Sequence, residues 1–144
     1  MSRSLLHPGF ATIRDVVWVE VRDRDLGPDV DPRAFLRRRL ADLGLPEALA
    51  LMTSRDIRRC SIHKAEVEGV EADCLTTVGL SNAERVGLRR PTRVLVGTIN
   101  TLVHVSCALT DGAFVEAISI AAEARTGILE SRPRQDGPFQ GRDN

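Results

Sequence analysis

V-L-V-G-T-I-N-T-L-V-H-V-S-C, residues 94–107, is the longest strand candidate in the chain. Alternation places Leu95, Gly97, Ile99, Thr101, Val103, Val105 and Cys107 on one face and Thr98, Asn100, Leu102, His104 and Ser106 on the other. Two further strand-like segments precede it, residues 64–68 and 70–80, rich in Val and Thr and meeting at Gly69, which predicts a hairpin. A helix candidate, residues 110–129, follows it. Strands in succession and then a helix depart from the regular alternation of a doubly wound fold. The class expected is α+β, bordering on mixed α/β. It is read as a single domain, a mixed β-sheet of about five strands backed by two or three helices.

The upstream half supplies the remaining elements. Val17, Val19 and Val21 alternate with Trp18 and Glu20 inside residues 11–22, the period of a strand with unlike faces. Asp31 followed by Pro32 reads as an N-cap with proline in the first helical position. The helix should run to about Leu43, with Leu36, Leu40 and Leu43 on one stripe, Arg37 and Arg38 pointing away, and Gly44 and Pro46 as the stop. Residues 48–53 are apolar enough for a short strand, and Ser54 could cap a brief helix over residues 56–60. The domain is expected to span residues 1–130, with residues 131–144 a mobile tail lacking apolar periodicity.

Composition narrows the classes of function. Lys plus Arg and Asp plus Glu number 20 each, so no net field argues for nucleic acid or an acidic membrane surface. With 42% hydrophobic and 28% charged residues the chain should fold, but at 3% aromatic its core must be Val, Leu, Ile and Ala. Cys60, Cys74 and Cys107 are too widely spaced for a zinc cage or a disulfide framework and are expected as buried thiols in a reducing compartment. No segment reads as a signal peptide or a membrane span, which makes the cytoplasm the default location. The expected partner is therefore a small molecule, with no metal and no cofactor; self-association as a homo-oligomer is left open.

Three blocks carry polar or small residues where a structural segment would be apolar: T-V-G-L-S-N-A (residues 77–83), G-T-I-N (97–100) and E-A-R-T (123–126). In a regular strand Thr98 and Asn100 project to one side about 7 Å apart, with His104 roughly 13 Å beyond Asn100. Such a row can bond amide groups; it also suits an antiparallel strand with a solvated face. Ser81 and Asn82 lie at a strand-to-helix turn, where they either cap the helix or, with its exposed N–H groups, hold a carbonyl or an oxyanion. The pattern lacks the G-x-S-x-G elbow of a serine nucleophile. In the last helix Phe114, Ala117, Ile118, Ala121 and Ile128 form an apolar stripe, opposite Glu116, Ser119 and Glu123. Arg125 falls on the apolar stripe, where a cation must snorkel, pair or face a ligand.

Together these blocks resemble the adenosylcobinamide amidohydrolase family of corrinoid salvage, whose members hydrolyse the amide between the aminopropanol linker and the corrin ring to release adenosylcobyric acid. The resemblance extends upstream through the strand near Val17, the D-P-x-x-F-L helix start (residues 31–36) and A-L-M-T-S (residues 50–54). It implies a corrinoid as substrate or ligand, bound by Ser81, Asn82, Thr98, Asn100, Glu123, Arg125 and Thr126. In that reading Asn82, Thr98 and Asn100 position the amide, with Glu123 and Arg125 as charged partners; no nucleophile or base is assigned. Two departures stand out. The third block more often reads E-A-K-T, and Arg125 keeps the charge but, staying protonated, suits binding and not base catalysis. Family members usually have more chain before the first strand and a G-T-G-T-D block near their end, where this sequence has G-P-F-Q-G-R (residues 137–142). A non-catalytic corrinoid-binding or regulatory module is the alternative that these departures raise.

Overall fold

The computed structural model describes residues 1–80 and 97–130 and has the expected α+β composition. Seven strands and two α-helices occur among these residues: β1 (Ser2–Arg3), β2 (Pro8–Gly9), β3 (Val16–Glu20), α1 (Pro32–Asp42), β4 (Leu49–Thr53), β5 (Ser61–Val67), β6 (Val70–Val78), β7 (Ile99–Val105) and α2 (Asp111–Glu130). They form three sheets, β1–β2, β3–β4 and β5–β6–β7, where one sheet of about five strands was expected. The added pair, β1 and β2, is too short for any alternation to register. The chain divides into two compact units, Met1–Ile62 with Leu75–Leu102, and His63–Cys74 with Val103–Asn144.

In the first unit β3 and β4 run parallel, with Val17 beside Ala50 and Val19 beside Met52, and α1 makes the crossover that a parallel pair requires. Val19 and Val21 pack with Leu36, Leu40, Ala48 and Ala50; Leu36 and Leu40 are completely buried. This is the Val, Leu and Ala core that the scarcity of aromatics demands. Leu43 is the exception to the expected leucine stripe. It is the C-cap and remains 59% exposed, at the point where the chain leaves the helix through Gly44 at φ 70°.

The N-terminus of α1 forms as Asp31 and Pro32 dictate. Asp31 Oδ1 accepts the Arg33 N–H at 2.9 Å, and Pro32 occupies the first turn, where its missing N–H costs nothing. Asp31→Ala is expected to destabilise the fold by about 1 kcal/mol, read as a lower urea midpoint at unchanged slope. After β4 the brief helix is a single turn, Ile57–Arg59, capped by Asp56 where Ser54 was expected. Asp56 stands immediately before the turn and also grips the Arg58 guanidinium through both carboxylate oxygens, each at 2.9 Å. The hydrogen bonds to Arg58 hold the Asp56 carboxyl below its ordinary range.

The hairpin at Gly69 forms with a two-residue turn, Glu68 at φ 52° and Gly69 at φ 79°. Positive φ at both positions is the primed geometry that matches strand twist, so β5 and β6 are antiparallel. β6 and β7 are antiparallel too. In the first unit Gly79 N–H donates to the Thr98 carbonyl at 2.9 Å, and the Thr76 hydroxyl donates to that of Thr101 at 3.4 Å. In the second unit Ser106 N–H donates to the Glu71 carbonyl at 2.9 Å. β7 is thus shorter than the expected strand of residues 94–107: Gly97 and Thr98 precede it, Ser106 and Cys107 follow it, and residues 94–96 lie outside the described residues.

Candidate functional site

The first unit gathers three segments that are far apart in sequence: the end of β4, the end of β6 and the start of β7. Asn100, only 8% exposed, donates from Nδ2 to the Met52 carbonyl at 2.6 Å, so its carboxamide is clipped to the backbone of β4. The antiparallel register that joins Gly79 to Thr98 sets Thr77 opposite Asn100. Thr77 is 2% exposed, and its Oγ1 is buried without a hydrogen-bond partner among the described residues. A buried hydroxyl left unpaired costs about 1–3 kcal/mol, so its retention calls for a reason. It lies beside the fixed Asn100 carboxamide.

Gly79 lets the strands meet here. A Cβ at this position would lie 3.1 Å from the Thr98 nitrogen, 3.2 Å from the Thr98 oxygen and 3.4 Å from Cγ of Arg55. Arg55 is in turn placed by its own N–H, which donates to the Oγ1 of the buried Thr53 at 3.1 Å. The A-L-M-T-S, T-V-G-L and G-T-I-N segments therefore converge through Met52, Thr77, Gly79, Thr98 and Asn100. Of the expected binding residues, Thr98 and Asn100 fall in this cluster, Thr98 half-buried. Ser81 and Asn82 lie outside the described residues.

Glu123, Arg125 and Thr126 belong to the second unit, as exposed positions of α2. Phe114, Ala117, Ile118 and Ala121 of the expected apolar stripe are half-buried on this helix, while the side chain of Ile128 lies outside the described residues. Arg125 meets its conflict with that stripe by being exposed near the helix end. Thr126 donates its hydroxyl to the Ala122 carbonyl at 3.0 Å, one turn back along α2. His104 is likewise a surface group, with Nδ1 3.5 Å from Asp73 Oδ2, while Lys64 Nζ stands 3.0 Å from Asp73 Oδ1. The hydrogen bond from Lys64 depresses the Asp73 carboxyl, and Asp73 correspondingly raises the Lys64 ammonium.

Thr77, Met52 and Arg55 were missed as site residues by sequence reasoning. Thr77 opens a block that stood out, but threonine in a strand is an ordinary β-former; the clip to Met52 uses a backbone carbonyl and leaves no side-chain signature. The cysteines also differ from expectation: Cys60 and Cys74 are half-buried and Cys107 is exposed, because Cys107 follows the end of β7. No group of three or more His, Cys, Asp or Glu side chains gathers among the described residues, and no described helix is long and apolar enough to cross a membrane.

Fold and cluster together define an α+β protein in which a buried carboxamide and a hydroxyl without a partner among the described residues face each other across two strands. The chain belongs to the adenosylcobinamide amidohydrolase family, CbiZ, whose model matches residues 1–136. No match is found to a curated protein or to a solved structure.

Thr77→Val tests the unpaired hydroxyl. Valine keeps the shape and removes a polar group that has no partner among the described residues, so stability should stay within about 1 kcal/mol or rise. Under the hydrolysis proposed below, turnover should fall at least about tenfold, the worth of one hydrogen bond. Parallel urea melts and initial rates separate the two effects.

Proposed function

We propose that this chain hydrolyses the linear amide that joins aminopropanol to the corrin ring of adenosylcobinamide, yielding adenosylcobyric acid and aminopropanol. The observation that supports it most is the juxtaposition of the buried Thr77 hydroxyl and the clipped Asn100 carboxamide in a chain of this family. A corrin ring is fringed with neutral carboxamides, and donors and acceptors without net charge are the complement such groups need. In the reaction water adds to the amide carbonyl, the C–N bond breaks, and the amine leaves with a proton as the carboxylate forms. Asn100 and Thr77, with Thr98, orient the amide.

A second reading, a corrinoid-binding module without turnover, draws on Arg125, which stays protonated where a lysine could serve as a base. One experiment addresses both. Purified protein is incubated with adenosylcobinamide and the products are separated by chromatography, alongside a visible-spectrum titration with cobinamide. Formation of adenosylcobyric acid supports hydrolysis. A spectral shift without product favours the binding module, and neither product nor shift sinks both.

A further inference from the structure

We infer that the free edge of β5 is the docking site for a second copy of this chain, which pairs antiparallel across a twofold axis through Ala65. All seven residues of β5 are exposed, and β6 is its one neighbour in the β5–β6–β7 sheet. Among the described residues no strand covers its other edge, so it gains little from its own fold and presents there a row of backbone groups without a partner among those residues.

The hairpin decides which groups those are. In a two-residue turn Val67 and Val70 are the hydrogen-bonded pair that closes the loop, so Val67, Ala65 and His63 bond toward β6. Lys64 faces Asp73 in the same register, as their 3.0 Å ion pair requires. The N–H and carbonyl groups of Lys64 and Glu66 consequently point to the open edge.

Charged residues on an edge ordinarily repel another strand. Here they are self-complementary in one register. If Ala65 meets the partner's Ala65 on the axis, Lys64 stands opposite the partner's Glu66 and Glu66 opposite the partner's Lys64. Both pairs are of opposite sign, and both fall where the outward backbone groups can exchange N–H and carbonyl bonds. Shifting the axis to Lys64 or to Glu66 sets like charges face to face, which disfavours slippage. The small Ala65 side chain allows the backbones to approach, and Lys64, Ala65 and Glu66 of β5 line an open concavity with Glu71 of β6. Asp73, already bonded to Lys64, would leave that ammonium bracketed by two carboxylates.

Sedimentation velocity on the full chain at low salt tests the interface. The wild-type chain should dimerise, and Glu66→Lys or Lys64→Glu should each weaken the dimer at least about tenfold, since each sets like charges opposite at both contacts. Mixing the two variants should restore a heterodimer, because one then presents lysine at both edge positions and the other presents glutamate at both. Circular dichroism checks that both variants fold. A wild-type chain that stays monomeric up to its solubility limit overturns the proposal, as does a Glu66→Lys dimer of unchanged affinity or a mixture that fails to associate.

Discussion

Under the proposed hydrolysis, Asn100→Ala is expected to lower kcat/KM for adenosylcobinamide by about 100-fold or more, the scale seen when one preorganised donor is removed from a site where charge develops on a carbonyl. The expectation rests on how the carboxamide is held. One Nδ2 hydrogen is spent on the Met52 carbonyl at 2.6 Å, which fixes the plane of the group within a position only 8% exposed. A fixed amide loses little freedom when it meets a ligand, so its remaining donor and acceptor act at full strength. The same substitution orphans the Met52 carbonyl and should cost about 1–3 kcal/mol of stability. Rates must therefore be normalised to the folded fraction from urea melts. If normalised kcat and KM both match wild type, Asn100 is only a clip between β4 and β7. A fall in kcat that survives normalisation places it on the reacting amide.

The backbone elements with strong local signals were legible in the sequence, and the tertiary pairings were not. α1 announces itself through Asp31-Pro32 and its leucine spacing, β3 through the Val17, Val19, Val21 alternation, and the β5–β6 turn through Gly69. Each of these depends on neighbours within a few residues. Leu43 misled because helical spacing says nothing about where the helix stops, and Gly44 stops it first. The separation of β3–β4 from β5–β6–β7 depends on contacts distant in sequence, which period-2 alternation cannot rank. At the candidate site the sequence marked Thr98 and Asn100 by their polarity. It did not mark Thr77, whose significance is the absence of a described partner, or Met52, which contributes only its carbonyl.

Gly79→Val should cost about 3 kcal/mol, the upper part of the range for overpacking, and should abolish turnover in the fraction that still folds. Its effect comes from backbone proximity and not from conformational freedom, since Gly79 does not have a positive φ. Even a bare Cβ would sit 3.1 and 3.2 Å from the Thr98 backbone nitrogen and oxygen, atoms that cannot rotate aside as a side chain could. The γ-carbons of valine add to that crowding, so the strands must separate at the point where Gly79 N–H reaches the Thr98 carbonyl at 2.9 Å. Thr77 and Asn100, the next pair bonded in the same sense along the ladder, would move apart with them. Gly79→Ala supplies the graded comparison, losing less stability because only the Cβ must be absorbed. If both variants melt like wild type, Thr98 yields readily and the close approach is not what brings Thr77 and Asn100 face to face. A graded loss of stability, with corrinoid turnover falling faster than the folded fraction, ties the glycine in T-V-G-L to the geometry of the site.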